Sequence, residues 1–411
     1  MKRSVALIAG GAAGGQLIAL ACSPLISRLV LPAEYGMFAI INGLIMPLVS
    51  ISALRLEAAV PLPQNDDEAL DLVRTGLASV TTMTLVGTVI VWLAKGHLVD
   101  LTRLDVLPEL LVWAPLIAGL MGVFVLLNQL AIRSRQYGAI GARNVLQGAV
   151  TGIGQVLFAA LGWGAHGLAL GLALGQAVGA FSLWVSLGSI FAKRSQRPAR
   201  LRGVISRYRS FPLLMMPSAL INSLGLQVPL LLVAAIHGTG ASGWMGMTQR
   251  VLAIPLALIG TAIAQVFLGE FSAAKRSKTT GLEILFLRTS KRLALVGTLL
   301  AIGIALLGPT AFSLVLGEQW RMSGIYARCL ALGFVFQMVA SPLSQTLIVM
   351  KKLVWQFLWD IFRLIACCMA VLVPGLLGMS DVLSLSLLGG VMGIAYLVLW
   401  VISWRAVRGQ E

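Results

Sequence analysis

Arginines in apolar surroundings set out the chemistry open to this sequence. Arg28, Arg55, Arg250 and Arg363 each stand inside or at the edge of a long apolar run. A guanidinium is a rigid planar fork of donors that matches phosphate and carboxylate oxygens. Arg363 follows Asp360 by three residues, so on a helix the two share a face and read as a structural ion pair. Arg250 has no acidic residue within a helical turn and stands beside Gln249, which reads as a cavity-facing charge. Arg28 and Arg55 lie near the ends of their runs, from which a long side chain also reaches the headgroups. Arg55 and Glu57 are two apart, and on a helix such residues do not face each other. Gln16, Asn42, Asn222 and Gln227 add amides that suit a sugar, although one amide in an apolar helix more often bonds a neighbouring helix. The excess of arginine over acid in these runs points to an anionic substrate, with Arg28, Arg55, Arg250, Gln16, Asn42, Asn222, Gln227 and Gln249 as the binding set.

Other chemistries lack their residues. His97, His166 and His237 are scattered near expected outer loops, and no spacing suits a metal. Cys22, Cys329, Cys367 and Cys368 all fall in apolar runs, where packing is the expected role. No Gly-Lys-Ser or Gly-Lys-Thr is present, so there is no phosphate-binding loop for a nucleotide. We expect no cofactor, no metal and no catalytic residue, and transport driven by a gradient.

The elements that must position these residues are membrane helices. Of the 411 residues, 58% are hydrophobic and 11% charged, against about 25% charged in soluble domains. Mean hydropathy is +0.92. A helix needs about 20 apolar residues to cross the hydrocarbon. Twelve such runs are read near 5–30, 36–57, 72–94, 109–131, 144–163, 167–191, 211–236, 244–271, 291–312, 323–348, 354–377 and 382–404. The first, behind Lys2 and Arg3, is too long for a cleaved signal and is read as a retained span. The expected fold is an all-α polytopic membrane protein. The connections leave no room for a soluble domain.

Charge sets the orientation. With the first residue inside, 23 of the 31 Lys and Arg fall on the cytoplasmic side, five outside, and Arg55, Arg250 and Arg363 within spans. That asymmetry places both termini in the cytoplasm. The net charge of +16 therefore reads as a topology signal and a contact for anionic membrane lipid, with no nucleic acid as partner.

A weak internal repeat divides the chain. Pro24-Leu25 is echoed 205 residues on by Pro229-Leu230, and Pro47-Leu48 is echoed 208 residues on by Pro255-Leu256. Prolines at these places remove a backbone hydrogen bond and kink their helices. We read a six-helix bundle at 1–192, a basic cytoplasmic linker at 193–210 and a second six-helix bundle at 211–411. An even number of spans per half makes the halves parallel repeats, related by a pseudo-two-fold along the membrane normal.

Several motifs together resemble one family. They are Gly14-Gly15-Gln16-Leu17-Ile18, Pro24-Leu25-Ile26-Ser27-Arg28 and Leu31-Pro32-Ala33-Glu34-Tyr35-Gly36. Next come Arg55-Leu56-Glu57, Pro61-Leu62-Pro63 and Asp66-Asp67-Glu68, then Gly162-Trp163-Gly164-Ala165-His166-Gly167-Leu168 and Tyr208 with Phe211-Pro212. Last come Gln249-Arg250-Val251-Leu252, Ile254-Pro255-Leu256 and Gly317-Glu318-Gln319-Trp320. In order and spacing these resemble the bacterial polysaccharide flippases of the multidrug/oligosaccharidyl-lipid/polysaccharide exporter superfamily. The resemblance implies a V-shaped pair of bundles around a central cavity lined by spans 1, 2, 7 and 8. It implies alternating-access transfer of a polyprenyl-pyrophosphate-linked oligosaccharide, an O-antigen, capsule or exopolysaccharide unit, from the cytoplasmic to the periplasmic leaflet of the inner membrane. By the same resemblance Arg28, Arg55 and Arg250 hold the pyrophosphate, and polysaccharide polymerase or assembly proteins are candidate partners. Some relatives have fourteen spans, so the groove their two extra helices form for the lipid tail is left open here. The alternatives are a cation-coupled multidrug antiporter of the same superfamily, which the acid-poor spans 1 and 7 disfavour, and a polytopic glycan polymerase or ligase, which the short outer loops disfavour.

Overall fold

The computed structural model describes residues 2–102, 108–193, 201–256, 260–276 and 281–408. Arg103, Arg194, Arg197, Arg200 and Lys278, which enter the charge count, lie outside the described residues, as does the 194–200 part of the basic linker. Every regular element among the described residues is a helix. The longer ones are α1 (Lys2–Ala21), α2 (Ser23–Leu29), α3 (Pro32–Ser52), α4 (Asp66–Thr102), α5 (Trp113–Arg133), α6 (Tyr137–Ala160), α7 (Gly164–Lys193) and α8 (Leu201–Arg207). They continue as α9 (Met216–Pro255), α10 (Thr261–Arg276), α11 (Leu282–Leu316), α12 (Arg321–Leu343), α13 (Gln345–Val349), α14 (Leu353–Leu376) and α15 (Asp381–Arg408).

Ten helical segments among the described residues are long and apolar enough to cross a membrane. One of them, Phe211–Pro255, has 45 residues, or about 68 Å of helix, twice the hydrocarbon thickness. That is length enough for two crossings, and Gly238 inside it is not helical (φ 84°, ψ 177°). Only glycine adopts that backbone without strain. With the 24 residues of α6, the segments of membrane length are consistent with the twelve expected. Their outward faces are hydrocarbon: Leu306, Leu314 and Leu376 are 71%, 77% and 83% exposed. So much exposed aliphatic surface is stable only against lipid.

Prolines act unevenly. The helix breaks at Cys22 beside Pro24, and α9 ends at Pro255. It runs on through Pro47 and Pro229, which lie inside α3 and α9.

The chain forms two compact units, Met1–Gln227 with Gly238–Gly243, and Val228–His237 with Trp244–Glu411. In the first, α6 packs most extensively on α7 and α1. The α1–α6 seam is a contact of backbones. A Cβ on Gly11 would strike Gly141, one on Gly15 would strike the Asn144 carbonyl, and one on Gly148 would strike Gly15. Small residues that let backbones touch replace the hydrophobic drive that lipid removes. A core of Leu56, Val60, Leu70, Val73, Leu127 and Leu187 gathers α4, α5 and α7 around the 56–60 turn.

In the second unit, α12 packs on α15 and α11, and α14 on α15. Phe267, Phe271, Phe286, Leu343, Trp359 and Tyr396 form its core. The expected Asp360–Arg363 pair is here, at 3.4 Å and almost fully buried. Arg363 also donates to the Tyr396 hydroxyl at 3.2 Å and lies over the Trp359 ring, so the pair is an internal strut.

Candidate substrate-binding residues

The three arginines differ in burial: Arg28 is exposed, and Arg55 and Arg250 are half-buried. On α2, Ser23, Ile26 and Ser27 are buried while Arg28, in the last turn, is exposed with Leu25 and Leu29. On the second half of α9, Thr248 and Leu252 are buried one turn apart. The Thr248 hydroxyl lies 2.8 Å from the Trp244 carbonyl and 2.7 Å from the Ser323 carbonyl and shares its one proton between them, which ties that face to α12. Arg250 falls midway between them, about 200° round the helix from Thr248, and is half-buried with Gln249. Trp244 fixes the start of this segment, its indole N–H donating to the Gln319 carbonyl at 2.9 Å and its ring meeting Tyr326 edge-on.

The amides divide in the same way between exposed and half-buried. Gly15 is buried against α6, so Gln16 beside it is exposed. Asn222 is exposed, and Asn42 and Gln227 are half-buried. None of the eight expected residues is in a packed core. They are spread along their helices: Gln16 and Arg28 lie about 18 Å apart along the axis, and Asn42 lies about 15 Å before the end of α3 at Ser52, beyond which Arg55 follows. Neither pair meets on one small group.

Arg55 corrects the sequence reading. Its Nη1 pairs with Glu57 Oε1 at 3.2 Å, although residues two apart on a helix do not meet. The helix has ended at Ser52, and Leu54 and Arg55 take left-handed backbone angles (φ 54° and 59°). That turn folds the chain back into the short 3-10 helix Leu56–Ala59 and carries Arg55 over Glu57. Glu57 is buried, and its Oε2 has no partner. Burial raises its pKa above the usual 4.5, and the Arg55 charge opposes the shift.

Sequence reasoning also missed the clamp around the following loop. Arg133 pairs with Asp66 at 2.9 Å and donates to the Val60 and Pro61 carbonyls. Arg207 pairs with Glu68 at 2.9 Å, and the Tyr208 hydroxyl donates to the same carboxylate at 3.1 Å. Burial, then the bond to Glu68, pushes the Tyr208 phenol above its usual range. Exposed ion pairs are worth about 0–1 kcal/mol each, so the clamp stabilises through its number. The only sequence signal was the acidic run Asp66-Asp67-Glu68 itself, whose partners lie far along the chain.

The residues that carry the resemblance have matching local structure. Gly162 and Gly164 both have positive φ around Trp163, which stacks on Phe158 and makes the tight turn into α7. Gly317 (φ 109°) ends α11, and Glu318–Trp320 is a 3-10 turn that buries Trp320. Residues 25–325 match the family described as "Polysaccharide biosynthesis protein". The chain belongs to that family. Its resemblance to polysaccharide flippases therefore stands. A relative, the teichuronic acid biosynthesis protein TuaB of Bacillus subtilis, is 26% identical over 160 residues, 39% of this chain and 33% of that protein. The matched stretch spans about a third of that relative. Among solved structures, the lipid II flippase MurJ in an inward closed conformation is similar at TM-score 0.76 and 12% identity, over 95% of this chain and 86% of that one. An inward-facing MATE-family multidrug resistance transporter of the MOP superfamily is similar at TM-score 0.63 and 16% identity, over 98% and 94%. The family thus has, in this member, the all-helical fold shared by a flippase and a multidrug transporter.

Proposed function

We propose that the protein is a flippase that carries a polyprenyl-pyrophosphate-linked oligosaccharide from the cytoplasmic to the periplasmic leaflet of a bacterial inner membrane, with both termini cytoplasmic. The observation that carries this reading is that Arg28 is exposed and Arg55 and Arg250 keep part of their surface open, in an apolar chain whose family is one of polysaccharide biosynthesis. A charge within the bilayer is retained where it faces a polar path, and arginine's fork suits pyrophosphate oxygens. The wide spacing of the polar residues fits a substrate with several groups, met in succession. The arginines take the pyrophosphate, and Gln16, Asn42, Asn222, Gln227 and Gln249 take sugar hydroxyls.

The test is reconstitution. Purified protein in proteoliposomes, loaded with fluorescent pyrophosphate-linked oligosaccharide lipid, is expected to make the inner-leaflet pool accessible to an added impermeant quencher. A protein that moves organic cations across the same vesicles and leaves the lipid in place belongs instead with the multidrug antiporters.

A further inference from the structure

Arg143 is a charge that the transport path does not use. By sequence it belongs to the cytoplasmic connection before the fifth span. In the structure α6 begins at Tyr137, so Arg143 lies about 9 Å along the helix. It is 2% exposed. Its Cζ lies 3.0 Å from the centre of the Phe124 ring on α5. Its Nη1 donates to Asn144 Oδ1 at 2.8 Å. Its Nε and Nη2, the side-on edge that grips an oxyanion or a halide, have no partner. That edge lies against Gly179 of α7, where a Cβ would sit 2.9 Å from Nε and 3.3 Å from Nη2. No acidic side chain pairs with Arg143 among the described residues.

Two more unpaired groups belong to the same three helices. Gln176, 5% exposed, lies three residues before Gly179 and so on its side of α7; its Oε1 has no partner. Asn128 lies one turn beyond Phe124 on α5, and its Oδ1 has no partner either. Amide oxygen and nitrogen are interchangeable by rotation, so both side chains can present donors. A buried cation with no counter-charge is strongly unfavourable in a low-dielectric interior. Water would satisfy its hydrogen bonds and leave the charge uncompensated. Arg143 and Gln176 are both buried, which favours a small ion over a lipid headgroup.

We propose that Arg143 holds a monovalent inorganic anion of chloride size inside the first unit, between α5, α6 and α7, with the Asn128 and Gln176 amides turned to donate to it. The anion neutralises the guanidinium and ties the three helices together. It is a resident ion of the bundle, and the proposal is independent of the substrate carried.

The experiment measures thermal unfolding of the purified full-length protein in detergent, in sodium chloride and in sodium gluconate at equal ionic strength. Gluconate is too large for the site. Saturating chloride is expected to raise the wild-type melting temperature by on the order of 2 °C over gluconate, and bromide is expected to do the same. Arg143→Gln is expected to abolish the difference. Gly179→Ala keeps the charge, crowds the fork and should shrink the difference, which covers the case in which Arg143→Gln does not fold. Arg250→Ala is expected to retain the full difference, because the ion is not on the transport path. Equal melting in chloride and gluconate for the wild type overturns the proposal. So does a chloride effect that survives Arg143→Gln or disappears with Arg250→Ala. An Arg143-dependent rise produced in gluconate by phosphatidylglycerol would assign the site to a lipid phosphate and overturn the inorganic ion.

Discussion

Arg250 and Arg363 share a residue type and an apolar setting, and their surroundings divide their roles. Arg363 is held by Asp360, Tyr396 and Trp359 inside its unit. Arg250 stands on the face of α9 opposite the one that Thr248 fixes. Arg250→Ala should therefore leave abundance unchanged and weaken pyrophosphate-lipid binding about 10- to 100-fold, the worth of a charge-assisted hydrogen bond. Arg250→Lys should keep part of the binding, since a point charge remains without the fork. Arg363→Ala should chiefly lower abundance, because it strands a buried aspartate. Binding measured on purified protein, beside immunoblots of membranes, separates these outcomes. Glu57 yields a pH prediction. Its folded pKa is raised by burial, so its contribution to stability is fully present below the unfolded value near 4.5 and is lost as pH rises through the folded value. Glu57→Gln stays neutral. The melting temperature of the wild type should fall relative to Glu57→Gln from pH 4.5 to pH 8, and a rise would contradict the assignment.

Helices were the most legible level, because an apolar run of about 20 residues has few fates other than a span. The breaks were less legible. The sequence reading placed a loop between 236 and 244, whereas the helix is interrupted only at Gly238. It carried the second span to residue 57, whereas α3 stops at Ser52 and two left-handed residues fold Arg55 onto Glu57. In both places hydropathy is silent, since composition does not change where φ does. Arg143 was taken for a loop charge because a count of arginines cannot tell a headgroup from a buried ring such as Phe124. Seams between helices are likewise set by contact and not by hydropathy. Gly15 meets the Asn144 carbonyl across α1 and α6. Gly15→Leu should destabilise the first unit by about 3 kcal/mol or more, as overpacking does when backbone must move, while Gly10→Leu, whose Cβ meets nothing, should be close to neutral. Thermal unfolding of the two variants in detergent checks the contrast.

At the scale of the whole chain the account rests on direction, and direction rests on topology. By the positive-inside rule the basic residues are expected to put the 193–210 and 275–292 stretches in the cytoplasm. In a background without the four native cysteines, cysteine at Arg200 or Ser277 should resist an impermeant thiol reagent in intact cells, and cysteine at Gly96 or Trp163 should react. The reverse pattern would invert the orientation and the direction of transport with it. The central claim is that the cargo is a lipid-linked glycan moved outward. It is tested most directly by deleting the gene and following the pyrophosphate-linked oligosaccharide. The account predicts that this lipid accumulates in the cytoplasmic leaflet, that wild-type protein clears it, and that normally expressed Arg250→Ala does not. A deletion strain in which the lipid-linked oligosaccharide reaches the outer leaflet at the normal rate, with no accumulation inside, would contradict it.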